Sequence, residues 1–89
     1  MLEKKENLYY TEILSERIAQ FIVNEWKIEE CYTISSVSEY FGIDIRLARY
    51  YLMKFVDKGI LCQVTWEDNT YYAQRCWKGP FKELGVKVL

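Results

Sequence analysis

Apolar residues recur along this chain with two different periods, and the change of period divides it. In residues 8–26 they fall mostly three and four apart, at Leu8, Ile13, Leu14, Ile18, Phe21, Ile22 and Trp26. That spacing lines one face of an α-helix. Asn7 or Thr11 can cap the start, which leaves residues 1–7 as a charged, frayed end, and the pattern reaches about Lys27. Such a helix can act as the scaffold of a small core, or carry an extra apolar stripe for dimerisation; core packing is the simpler use. Residues 27–32 read as a loop, and Thr33-Ile34 as a short first strand.

Residues 32–61 hold the unit around which the rest is arranged: a short helix, a glycine turn and a longer helix. Ser35 or Ser36 can cap the short helix, with Ser36 and Glu39 spaced as a capping box. Val37, Tyr40 and Phe41 form its apolar face. Gly42 permits the positive φ that ends it, and Ile43 anchors the turn. Asp44 is a good N-cap for the second helix, residues 45–58. Gly59 stands where a left-handed C′ residue is wanted, after Lys58 in the last turn. Rotating about 100° per residue puts Ile45, Ala48, Tyr51, Leu52, Phe55 and Val56 on one side. Arg46, Tyr50 and Lys54 fall opposite, with Leu47, Arg49 and Met53 on the flanks. Cap, short helix, glycine, cap and long helix in that order is the pattern of a helix-turn-helix.

Beyond Gly59 the period shortens. Residues 60–66 and 71–77 are rich in β-formers and flank the turn residues Glu67, Asp68, Asn69 and Thr70, which makes a β-hairpin. Gly79-Pro80 interrupts the chain. In the tail, residues 78–89, Val86 and Val88 can pair as a strand or remain loose. Together these elements predict one α+β domain over residues 1–89: a winged helix-turn-helix of three helices with a C-terminal β-hairpin wing.

Composition refines this picture. A chain of 89 residues that is 51% hydrophobic can bury one modest core and is too apolar for a disordered segment. The formal charge of −1 argues against a non-specific nucleic-acid binder. A local patch is still available, because residues 44–58 hold four cations (Arg46, Arg49, Lys54, Lys58) against Asp44 and Asp57, leaving +2. With no histidine, neither Ser-His nor Cys-His catalysis can be built. The four glycines are isolated, so no phosphate loop is present, and catalytic and cofactor residues are expected to be none. Cys31, Cys62 and Cys76 form no CxxC pair, so no metal site is expected. Their odd number suggests a reduced, cytoplasmic chain in which Cys62 and Cys76 are small, partly buried residues, although a hairpin could bring them together. No apolar run approaches a membrane span.

The candidate binding residues are Arg46, Arg49, Tyr50 and Lys54. Arginine can pair with guanine O6 and N7 through two N–H groups, and a lysine suits a phosphate. Any surface helix turns Arg and Lys outward; Tyr50 and the preceding short helix are what favour recognition of double-stranded DNA, with the second helix in the major groove. The competing expectation is a winged helix used as a protein-interaction module or adaptor, motivated by net acidity, the acidic hairpin tip and abundant aromatics. Ala48-Arg49-Tyr50-Tyr51-Leu52, then Gly59 and Thr70-Tyr71-Tyr72, resembles the PapI/FaeA-like regulators of bacterial fimbrial operons, with looser similarity to the CaiF/GrlA type. The resemblance covers residues 32–72 and implies a winged-helix transcription regulator with Arg49 and Tyr50 on the DNA-facing helix. It also implies cooperation with a larger DNA-bound regulator; the sequence itself leaves monomer and homodimer both open. The chain departs from that family at the hairpin tip, where Glu67 and Asp68 replace an arginine-rich loop.

Overall fold

The computed structural model describes the backbone from Leu2 to Leu89 and the side chains from Ile13 onward. Three helices and a mixed four-stranded sheet form a small α+β domain: α1 (Leu2–Asn24), β1 (Glu30–Tyr32), α2 (Ile34–Phe41), α3 (Ile45–Asp57), β2 (Cys62–Trp66), β3 (Asn69–Ala73) and β4 (Lys87–Val88). Strand order is β2-β3-β1-β4. The β1–β3 and β2–β3 pairs are antiparallel, and β1–β4 is parallel.

α1 begins at Leu2, ahead of both expected caps, and ends three residues short of Lys27. Leu14, Ile18, Phe21, Ile22 and Trp26 are buried as the period required, Ile13 is 38% exposed, and the side chain of Leu8 lies outside those described. Phe21 gathers four aromatic rings, with centroids at 6.1 Å (Trp26), 5.5 Å (Tyr32), 4.7 Å (Tyr40) and 5.4 Å (Phe41). Edge-on and tilted contacts of this kind fill a small core efficiently.

The first strand lies at residues 30–32, in the segment expected to be loop and ahead of the expected Thr33-Ile34, because Thr33 is the cap of α2. The Thr33 hydroxyl accepts from the Ser36 N–H at 3.1 Å, and Ser36 Oγ accepts from the Thr33 N–H at 2.9 Å. The capping box is therefore Thr33 with Ser36, and neither Ser35 nor Ser36 with Glu39 fills that role. Gly42 closes α2 in the left-handed region (φ 63°). On α3, Asp44 caps through the Arg46 N–H at 2.8 Å. Ala48, Tyr51, Leu52 and Phe55 are buried, whereas Ile45 is half exposed and Val56 only partly covered. The helix is closed by the Ile60 and Leu61 N–H groups, both donating to the Phe55 carbonyl across Gly59.

The hairpin is tighter than its composition suggested. Thr65 faces Thr70 and Trp66 faces Asn69, so Glu67 and Asp68 alone form the turn, both with positive φ (49° and 65°). A two-residue turn with both φ positive matches the strand twist and ordinarily favours Asn-Gly. Asn69 and Thr70 thus belong to β3, which ends at Ala73. From there Gln74 leaves the sheet and donates to the Ile22 and Trp26 carbonyls at 2.5 and 2.9 Å, tying the hairpin to the end of α1.

The sheet separates two apolar clusters. One lies under the three helices and takes in Tyr32, Leu61 and Tyr72; the other, on the opposite face, is built from Cys31, Val64, Ala73 and Phe81, with Trp66, Tyr71 and Trp77 against them. The tail closes this second cluster: after the turn at residues 81–85, Lys87 and Leu89 donate to the Glu29 and Cys31 carbonyls, adding β4 to the edge of β1. Cys62 and Cys76 form a disulfide with Cα atoms 5.4 Å apart, which corrects the expectation that all three thiols are reduced. Cys31 is free and buried, and burial pushes its thiol pKa up to about 11. Among the described residues, no helix is long and apolar enough to cross a membrane.

Candidate nucleic-acid interface

The exposed side of α3 is fixed by its buried side. Four core residues hold the helix in one rotation, and the Asp44 cap and the Gly42 turn fix where its first turn begins. Arg46, Arg49 and Tyr50 are then exposed, and Lys54 is partly covered. All four line one shallow surface groove together with Met53 and Asp57, so the residues chosen from helical spacing do share a surface. Tyr50 packs edge-on against the buried Tyr51, with ring centroids 5.3 Å apart, which orients an aromatic group that is 56% exposed.

Arg49 also lines a second cleft, between the start of α2, the start of α3 and strand β3. Ser35, Ile45, Asn69 and Thr70 are among its other walls. The Arg49 charge is felt across that junction at the Tyr72 hydroxyl. Burial raises the Tyr72 pKa, the Arg49 cation opposes the rise, and the hydroxyl lies 3.5 Å from Met53 Sδ. Arg46, Tyr50 and Lys54 are not walls of this cleft. Ser35, Asn69 and Thr70 were not legible as site residues, because only the β1–β3–β2 register brings the hairpin alongside α3.

Apart from Asp57 in the groove and Asp44 at the cap of α3, the acidic groups lie on other elements. Glu16, Glu25, Glu29 and Glu39 are exposed outside α3, and two carboxylates accept from tyrosines: Glu25 from the Tyr40 hydroxyl at 2.9 Å, and Glu30 from the Tyr32 hydroxyl at 3.2 Å. Tyr32 is thereby held neutral, its pKa raised to about 12 by burial and by the adjacent Glu30. Glu67 and Asp68 stand exposed at the hairpin tip, where Asn69 Nδ2 donates to the Glu67 carbonyl at 3.1 Å. Chemically, the α3 face offers two guanidiniums, an ammonium and a tyrosine beside the Asp57 carboxylate: donors for base edges and phosphates and a ring for stacking.

Comparison with protein-family models, with curated proteins and with solved structures returned no match for this chain.

Proposed function

We propose that this chain is a winged-helix transcription regulator that binds double-stranded DNA in a sequence-specific manner, with α3 entering the major groove and the β2–β3 hairpin as its wing. The observation that carries the reading is the exposure of Arg46, Arg49 and Tyr50, with Lys54 beside them, on the one side of α3 that the core leaves open. An α-helix fits the major groove, and arginine is the side chain best suited to guanine there. The order of α2, a left-handed glycine turn and α3, followed by a hairpin, agrees with the winged-helix reading and with the resemblance to fimbrial-operon regulators. Cooperation with a larger DNA-bound regulator is the partner relation that this resemblance suggests.

The test is selection from a random-sequence duplex pool, followed by titration of the enriched duplex and a scrambled one at two salt concentrations. One enriched sequence, bound more tightly than its scrambled form and weakened by salt, is the expected result. Equal, weak binding to every duplex defeats the proposal. A second reading, a protein-interaction adaptor without direct DNA contact, is favoured by the two exposed carboxylates at the hairpin tip. A stoichiometric protein partner with no duplex binding at low salt is the result that would select it.

A further inference from the structure

We propose that the cleft between α3 and β3 seats a single backbone phosphodiester of the duplex, with Arg49 as its cation, so that Arg49 anchors DNA while Arg46 and Tyr50 read it. This rests on the DNA-binding reading above and divides the labour within it.

The four candidate residues of α3 are not equivalent in position. Arg46, Tyr50 and Lys54 line the groove along the helix and not the cleft, whereas Arg49 lines both. The opposing effect of the Arg49 cation on the Tyr72 hydroxyl, a group of β3, agrees with that placement. Successive strand residues alternate between faces, so Thr70 shares with Tyr72 the face turned toward α3. Thr70 therefore stands across the cleft from Arg49; Asn69 and Tyr71, its neighbours in the strand, also line the cleft, and Ser35 closes its third side.

The chemistry of these walls selects an anion that only accepts hydrogen bonds. Among the described residues no carboxylate lines the cleft, whereas Asp57 lines the helix groove. Among the described residues, no ion pair or hydrogen bond engages the Arg49 guanidinium, and none engages the Ser35 or Thr70 hydroxyl. The Thr33 hydroxyl, by contrast, is already committed to Ser36. A guanidinium presents N–H groups in a planar fork that matches two phosphate oxygens, and hydroxyls can supply further donors. Neither Glu67 nor Asp68 is among the cleft's lining residues, and Glu67 lines a groove with Trp66 and Phe81, which belong to the cluster on the other face of the sheet. A base edge demands a particular pattern of donors and acceptors, which a cation flanked by rotatable hydroxyls does not impose; a phosphate does not demand one.

The experiment uses the full chain, a duplex enriched from a random pool by the parent protein, its scrambled counterpart, and a set of enriched duplexes each carrying one neutral methylphosphonate. Arg49→Ala is expected to weaken the enriched and scrambled duplexes by the same factor, about tenfold, and to reduce the salt slope by about one. Thr70→Val should weaken both duplexes equally as well, by a smaller factor. One methylphosphonate position should cost the parent a similar factor and cost Arg49→Ala nothing, while Arg46→Ala remains sensitive to it. Arg46→Ala should instead narrow the ratio between enriched and scrambled duplexes. If Arg49→Ala narrows that ratio, or if no methylphosphonate loses its cost in that variant, the phosphate seat is refuted while DNA binding stands. If the parent enriches and binds no duplex, the DNA reading fails and this proposal with it.

Discussion

Replacing Leu52 by alanine tests the rotation of α3, on which the proposed interface depends. Leu52 is 0% exposed, one turn from Ala48 (0%) and beside Phe55 (5%) on the buried face. The truncation removes about three buried carbon groups at roughly 0.8 kcal/mol each, or about 2.4 kcal/mol of transfer free energy. A residual cavity adds to this, since flanking side chains in a close-packed core relax only in part, which brings the loss to about 3–4 kcal/mol. For a domain of this size each kcal/mol lowers Tm by roughly 4–8 °C, so a fall of at least about 12 °C is expected. The assay is thermal melting by far-UV circular dichroism with urea unfolding alongside, the m-value staying constant if only stability has changed. Total stability is on the order of 5–15 kcal/mol, so Ile18→Val, at a 1% exposed position in the same cluster and expected to cost about 1 kcal/mol, serves as a milder core variant. Arg46→Ala, on the exposed side, should stay within about 0.5 kcal/mol of the parent. A Leu52→Ala variant melting within two or three degrees of the parent (about half a kcal/mol) would refute the burial of this face and the outward direction of Arg46 and Tyr50 with it.

Three other outcomes follow from particular contacts. The Cys62–Cys76 disulfide spans a sequence separation of 14, and in the chain-entropy model a loop near that size contributes about 3 kcal/mol; urea unfolding with and without a reductant should differ by about that amount, and coincident curves would count against the bridge. Glu67→Lys combined with Asp68→Lys should strengthen binding to enriched and scrambled duplexes alike and steepen the salt dependence, measured by fluorescence anisotropy, because two repulsive charges become phosphate partners. Burial raises Cys31 from 9.0 to about 11 and Tyr32 from 10.0 to about 12, so the unfolded chain releases these protons first; stability is retained below about pH 9 and lost as pH climbs toward 12, and urea midpoints taken across that window should fall, less steeply at its upper end in Tyr32→Phe.

Helical periodicity made α3 legible because its buried residues repeat in step with the helix and its caps are local. Asp44 needs only the Arg46 N–H two residues on, and the glycines at 42 and 59 need only their own φ values (63° and 75°). What failed to show was non-local or ambiguous. Thr33 and Ser35 are both acceptable caps in isolation, and the choice of Thr33 comes from β1, which delivers residue 33 in extended conformation (φ −90°, ψ 165°) just where the helix begins. β1 is only three residues long and exists because β3 and β4 pair on either side of it, a requirement that no local pattern encodes. The tail was ambiguous for the same reason: Lys87 and Val88 become a strand only beside Glu30 and Cys31. At the candidate site, Arg46, Arg49, Tyr50 and Lys54 could be grouped from spacing. The contribution of Asn69 and Thr70 could not, since it depends on a two-residue turn whose Glu and Asp lack the usual Asn-Gly signature.

The same turn bears on how a chain of net charge −1 would engage a polyanion. Over a molecule 51 Å in its longest dimension, charges beyond a Debye length of about 10 Å are largely screened at 0.1 M salt. A phosphate at the α3–β3 cleft therefore responds chiefly to nearby groups, and there Arg49 stands without a carboxylate among the lining residues. The acidic tip does not lend the backbone attraction that a basic wing would, so non-specific affinity, which is almost wholly electrostatic, should be low. Discrimination between sequences comes from base contacts, which an acidic tip leaves unchanged. If the chain binds DNA as proposed, acid at the tip lowers the background while sparing the signal, through two residues held in a backbone region that costs non-glycine side chains on the order of 1 kcal/mol each. Under the proposed function, replacing Glu67-Asp68 by Asn-Gly should relieve both strain and repulsion, raising stability and binding to scrambled duplexes more than it changes the ratio between enriched and scrambled ones.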